Sequence, residues 1–262
     1  MIRDFIDSMP LWGVLLTTIT IVWMATEVGF RAGVSRSNKP SFDNETQISS
    51  MTGANLGLLA FLLAFTFSMA AGHFDTRKKI ILEEAKVIST AYLRTSLLPG
   101  EASAQIRALL RDYTDVRTIN VGDVDVEAVI RKSKLLQAQM WEEIETLVAD
   151  GDLSVMHSLL IQSINEVFDS HEDRVAAGLH NRIPPTIWVA LYSVLLLSML
   201  GMGFHSGIKG SRSPVPTTAL ALSFSMVLFL IADLDRPDSG LVTPDQSALL
   251  ELNKQFQALP DQ

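Results

Sequence analysis

MTGANLGLLAFLLAFTFSMAAG, residues Met51 to Gly72, contains no charged side chain. At 1.5 Å of helical rise per residue, such a run crosses roughly 30 Å, the thickness of a bilayer's hydrocarbon core. Three further apolar blocks surround it in the chain. Leu11 to Phe30 is interrupted late by Glu27, Ile187 to Phe204 opens behind Pro184 and Pro185, and Val215 to Ala232 starts behind prolines and stops at Asp233 and Asp235. Proline suits a first helical turn, where its missing N–H would lack a partner in any case. The first block is too long for the core of a cleavable signal and no A-x-A-like site follows it, so it reads as an uncleaved anchor. A short polar loop, His205 to Ser213, joins the last two blocks into an antiparallel helical hairpin.

The fold class that follows is all-α, an integral membrane protein with four transmembrane helices and a helical extramembrane domain between the second and third. The expected divisions are an N-terminal pair of spans (1–72; spans 11–30 and 51–72), a helical domain (73–182), a C-terminal hairpin (183–234; spans 187–204 and 215–232) and a partly helical tail (235–262). Composition agrees through clustering more than through averages. The chain of 262 residues is 48% hydrophobic and 19% charged, and its charges crowd between the second and third blocks. Absence of cysteine excludes disulfides, thiolate metal sites and a cysteine nucleophile. A net charge of −8 argues against a phosphate-tracking nucleic-acid binder and against a polybasic lipid-adhesion surface.

Four crossings put the N-terminus, the middle domain and the tail on one side of the membrane. Basic residues near span ends on that side are Arg3, Arg77, Lys78, Lys79, Lys86, Arg174, Arg182 and Arg236. Against them stand Arg31, Arg36, Lys39, Lys209 and Arg212 on the other. The excess favours a cytoplasmic middle domain under the positive-inside rule, although the flanks of the first span alone favour the opposite. Within that domain no helix breaker occurs from Gly72 to Pro99-Gly100, so the second span is expected to continue as one long helix. Three amphipathic stripes follow: Ile106, Leu109, Leu110 and Tyr113; Val129, Leu136, Met140, Ile144 and Leu147; Met156, Leu160, Ile164, Val167 and Phe168. Turn formers at 120–125 and 150–152 separate them. The tail helix, Gln246 to Leu259, is free to pack on this bundle.

Chemistry-bearing motifs are scarce. No nucleophile elbow, P-loop, dinucleotide fingerprint or metal-ligand spacing appears, so neither catalytic residues nor a cofactor or metal is expected. His171-Glu172 lacks the second histidine that a zinc-protease helix needs. His171 instead continues the stripe through Val167 and Phe168 as a packed histidine, and Glu172 and Arg174 read as ion-pair formers. Glu27 is a carboxylate at the edge of a span, costly enough to be a functional candidate. Its competing reading is an interfacial pair with Arg31, one helical turn on. Asp233, Asp235 and Arg236 lie in IADLDRPDSG (Ile231 to Gly240), an acidic cluster at a membrane exit. Acidic clusters with glycine can bind a divalent cation, but the spacing is not that of an EF-hand, and a capped helix end is the expected arrangement. Along the second span, Gly53, Gly57, Ala60, Ala64, Ser68 and Ala71 form a small-residue side that permits close backbone approach in lipid. Beside it run Leu58, Phe61, Phe65 and Ser68. Bulky rings so repeated form a hydrophobic constriction if several copies surround an axis; otherwise they face lipid or a neighbouring helix.

These segments also resemble a known family, the bestrophin-like membrane proteins of bacteria. The resemblance rests on LGLLAFLLAFTFSMA (Leu56 to Ala70), FDTRKKIILEEAKVISTAYLRTSLLP (Phe74 to Pro99), HEDRV (His171 to Val175), RIPPTIW (Arg182 to Trp188) and IADLDRPDSG. It implies relatedness to bestrophins, pentameric anion channels whose subunits carry four spans and whose pore neck is lined by apolar residues of the second. By helix position, that implies Leu58, Phe61, Phe65 and Ser68 as pore-lining candidates, a homo-oligomer, small anions as cargo and a bacterial inner-membrane location. The acidic calcium clasp of animal bestrophins is not reproduced, so calcium gating is not implied. The rival expectation is a non-conducting membrane-anchored interaction or sensory protein acting through its helical domain.

Overall fold

The computed structural model describes residues 10–37, 45–118, 125–149, 154–210, 214–237 and 240–258. Among the described residues there are eight helices and no strand: α1 (Leu11–Ser37), α2 (Glu45–Thr95), α3 (Glu101–Thr118), α4 (Val126–Ala149), α5 (Val155–Leu179), α6 (Pro185–Ile208), α7 (Pro214–Asp235) and α8 (Ser247–Ala258). Four of them, α1, α2, α6 and α7, are long and apolar enough to cross a membrane. The breaks expected at 120–124 and 150–152, the flanking charges Arg3, Lys39 and Arg212, and the carboxylate Asp238 lie outside the described residues. As the lack of breakers required, α2 is one uninterrupted helix of 51 residues. It stops at Thr95, before Pro99, and Gly100 then takes a φ of 122°, a value that residues with a Cβ avoid. The third span runs on past Phe204, because nothing in His205–Ile208 breaks a helix. It ends where Gly210 adopts φ 65°, the left-handed conformation that closes many helices.

The chain divides into two compact units. The first comprises residues 1–73, 182–236 and 240–242. Here α1 packs along α6 and against α7, around a core that includes Val22, Leu59, Leu63, Leu195, Met199 and Leu228. Between helices in lipid, apolar side chains gain little by leaving lipid for one another, and close backbone approach supplies cohesion instead. Two G-x-x-x-G pairs provide it. A Cβ at Gly29 or Gly33 of α1 would collide with the carbonyl oxygen of Leu200 or Phe204, and one at Gly203 or Gly207 of α6 with that of Thr26 or Phe30. A buried polar link reinforces the crossing: the hydroxyls of Thr18 and Tyr192 lie 2.9 Å apart, and Thr18 also donates to the Val14 carbonyl at 2.8 Å.

The second unit comprises residues 74–181, 237–239 and 243–262. The part of α2 beyond Phe74 joins α3, α4, α5 and α8 around Ile88, Ile106, Leu110, Met140, Leu160 and Ile164, all buried. The apolar stripes face inward, with the exception of Met156, which sits in the first turn of α5 and is exposed. The tail helix belongs to this core. Leu249, Leu252 and Phe256 of α8 are buried in it, and the Phe256 ring stacks on Tyr92 with centroids 4.2 Å apart.

Candidate functional site

In the first unit, Leu59, Leu63, Thr66 and Ala70 turn one narrow face of α2 inward. The opposite face stays uncovered in the single chain: Leu58, Phe61 and Phe65 retain 48%, 67% and 59% of their surface, and Ser68 is exposed beside them. Spacings of three and four residues place all four on one side of the helix. The adjoining small residues are equally open, and a Cβ at Gly53 or Gly57 would meet nothing within 4 Å. The close approach that Gly53 and Gly57 permit is therefore not made by any of the described residues. It is made instead between α1 and α6, by glycines whose role the sequence reading did not assign.

Glu27 accepts a hydrogen bond from Arg31 Nε at 2.8 Å, across one helical turn and largely in the open. The acidic exit of α7 is buried and structured by hydrogen bonds. Asp235 accepts from the Ile183 backbone N–H at 2.8 Å and from Arg182 Nε at 3.1 Å, fixing the chain as it enters α6. Asp233 accepts from the backbone N–H groups of Leu241 (2.6 Å) and Val242 (3.3 Å). A Cβ at position 240 would stand 2.8 Å from Asp233 Oδ1, so glycine is needed there. Arg236 is buried too, and its backbone N–H donates to the Asp233 carbonyl at 3.2 Å. The arrangement folds turns around carboxylates, and among the described residues no cluster of His, Asp and Glu fit for a metal ion occurs.

In the second unit the structure assembles a group that the motif search passed over. Glu84, fully buried on α2, receives Arg117 Nε of α3 at 2.7 Å and Arg174 Nη1 of α5 at 2.6 Å. The Tyr113 hydroxyl donates to the same carboxylate at 3.4 Å and lies 3.3 Å from His171 Nδ1. With Tyr113 donating to Glu84, its oxygen takes the proton of Nδ1, which leaves Nε2 as the bare nitrogen of a neutral ring, and Nε2 has no partner. Burial alone would raise the Glu84 carboxyl, yet the two guanidinium groups hold it below its ordinary value. Burial, with Arg117 adding to it, drives the His171 imidazole down to about 4. Burial and the Glu84 charge raise the Tyr113 phenol. Glu172 turns the other way and pairs with Lys134 at 3.1 Å in the open.

Glu84 and Arg117 carried a signal after all. Glu84 sits between Ile81 and Ile88 on an inward stripe, and Arg117 extends the stripe of Leu110 and Tyr113 by one turn. A charge on an apolar stripe marks a buried ion pair, because an unpaired one is too costly to keep there.

Four helices long and apolar enough to cross a membrane, one with an uncovered apolar face, and a helical unit with its own core define the class as all-helical with four candidate spans. Comparison narrows the class: the profile of the bestrophin-like domain matches residues 19–244, and the chain belongs to the bestrophin-like family. Among solved structures, one described as a membrane protein superposes with a TM-score of 0.62 at 15% identity, covering 94% of this chain and 97% of the other. A bacterial bestrophin homolog from Klebsiella pneumoniae gives 0.62 at 14% identity, covering 93% and 96%. Another variant of that homolog gives 0.56 at 16% identity over the same shares. Among curated proteins, nothing matches this sequence.

Proposed function

We propose that the protein is the subunit of an oligomeric ion channel of the bacterial inner membrane, with α2 lining the pore and small anions as the conducted species. The observation that carries this reading is the uncovered face of α2. Leu58, Phe61 and Phe65 expose apolar rings and branches in a row, beside Gly53 and Gly57, where an added Cβ would meet none of the described residues within 4 Å. Copies of such a face around an axis would place the bulky row at a constriction that gates by wetting and dewetting, while Gly53 and Gly57 admit a neighbouring backbone. Family membership and the fold shared with a bacterial bestrophin homolog support the same reading. The excess of basic residues at the span ends on its side supports a cytoplasmic second unit.

Purified protein in planar bilayers tests the proposal. Single-channel currents are expected, with reversal potentials in a chloride gradient that follow the anion. The double substitution Phe61→Ala and Phe65→Ala should raise the open probability or conductance several-fold by widening and wetting the constriction. Silent bilayers holding folded, oligomeric protein would overturn the channel reading, and a strictly monomeric protein in mild detergent would do so without electrophysiology. Either outcome leaves the membrane-anchored interaction protein as the reading to pursue.

A further inference from the structure

The second unit holds a half-open cavity of about 700 Å3, within the range that binds small molecules. Three guanidinium-bearing side chains, Arg77, Arg117 and Arg174, line it, and the walls are apolar: Ile80, Ile81, Val126, Val129, Ile130 and Val175. Arg117 and Arg174 are the two partners of Glu84, which supplies a single negative charge to both. Tyr113 and His171, the other groups at this carboxylate, are neutral at pH 7. Within the Glu84 cluster, two guanidinium ions against one carboxylate leave one positive charge, and Arg117 is 5% exposed; Arg77 has an interaction of its own. Asp245 does not balance it. That carboxylate stands exposed at the rim, is held by the backbone and hydroxyl of Ser247 at 2.9 Å, and has Lys78 nearby.

We infer that this cavity is a binding site for an organic monoanion, a molecule with one carboxylate and an apolar body. The charge is matched at the Glu84 cluster, where a bound carboxylate completes two cations and two anions. The geometry is matched as well, because guanidinium donors that Glu84 does not use fit the planar fork of a carboxylate. The aliphatic walls accept the remainder of the molecule and would give a small inorganic anion nothing to bury. The site lies wholly within the second unit, and the inference holds whether or not α2 lines a pore.

Titration calorimetry on the full chain in lipid nanodiscs tests it, with hexanoate as the probe and hexanol and inorganic phosphate as comparisons. Saturable hexanoate binding is expected, at least tenfold tighter than hexanol or phosphate. Arg174→Gln should weaken it at least tenfold, since Glu84 and Arg117 then form a neutral pair. Gly178 also lines the cavity, and a Cβ there meets nothing within 4 Å. Gly178→Phe should therefore fill the space, keep the helical circular dichroism and elution volume, and abolish binding. It decides the matter should Arg174→Gln not fold. Equal affinity for hexanol would reduce the cavity to a greasy hole, equal affinity for phosphate would make it an inorganic-anion site, and unchanged hexanoate binding to folded Gly178→Phe would place the ligand elsewhere. Each of these overturns the inference.

Discussion

At the scale of single residues, the informative side chains are those placed where their chemistry is expensive. His171 sits at zero exposure with one ring nitrogen beside Tyr113 and the other facing no partner. Its folded value of about 4 lies below the ordinary 6.5, so the unfolded chain binds the extra proton first as pH falls between those limits. The sign follows from linkage: stability is full above about pH 6.5 and declines as pH drops toward 4, by about 3 kcal/mol across the whole interval. Glu84 does not confuse this window. Its carboxyl is held below the usual 4.5, so the contribution of its ion pairs is lost only at lower pH still. The thermal midpoint of the full chain in detergent should therefore fall between pH 7 and pH 5, and His171→Gln should flatten that slope. An unaltered slope in His171→Gln would show that other groups set the acid sensitivity. The sequence made His171 legible as a packed histidine because it continues an apolar stripe. Its dependence on Glu84 and Arg117 was not legible, since three residues on three helices meet only after folding.

At the scale of the helix, the same residue type has opposite meanings in two places. Gly203 and Gly207 press their α-carbons against the backbone of α1, and Gly29 and Gly33 return the contact. Gly53 and Gly57 of α2 touch nothing. Gly203→Val should thus push the α1–α6 crossing apart. Overpacking of a tight contact costs about 1–3 kcal/mol and often more where backbone is met, so the thermal midpoint should drop by many degrees or the protein should fail to accumulate. Gly57→Val should leave the fold of one chain intact, and under the proposed channel assembly it should shift the protein toward smaller species in light scattering. Equal damage from both substitutions would contradict the difference in packing. Glycine spacing was visible in the sequence on all three helices. What could not be read is the partner, because a run of small residues names a face without naming what lies against it. The four long apolar helices were readable for the converse reason: the absence of charge over some twenty residues is a property of one segment alone.

At the scale of the whole molecule, the second unit is discontinuous in sequence. Its core draws on residues 74–181 and then on α8, with the membrane-length helices α6 and α7 intervening in the chain. Removing residues 243–262 should strip Leu249, Leu252 and Phe256 from that core and leave Tyr92 without its stacked ring. Large side chains lost from a core cost about 2–5 kcal/mol each, so the truncated protein should lose its cooperative thermal transition and bind hydrophobic dyes. Supplying a peptide of residues 243–262 should restore part of the transition. The middle segment cut out alone is then an incomplete domain, although its own charges and stripes give it the look of a self-sufficient bundle.

Order of synthesis gives that discontinuity a temporal meaning. The ribosome delivers the segment 74–181 long before Leu249 and Phe256 exist, and the long apolar helices α6 and α7 are made in between. Throughout that interval the nascent bundle displays an open greasy seam, the kind of surface that invites misassembly or a chaperone's attention. Maturation of this protein is therefore gated at translation's late stage: the seam can be sealed only after α6 and α7 have been made.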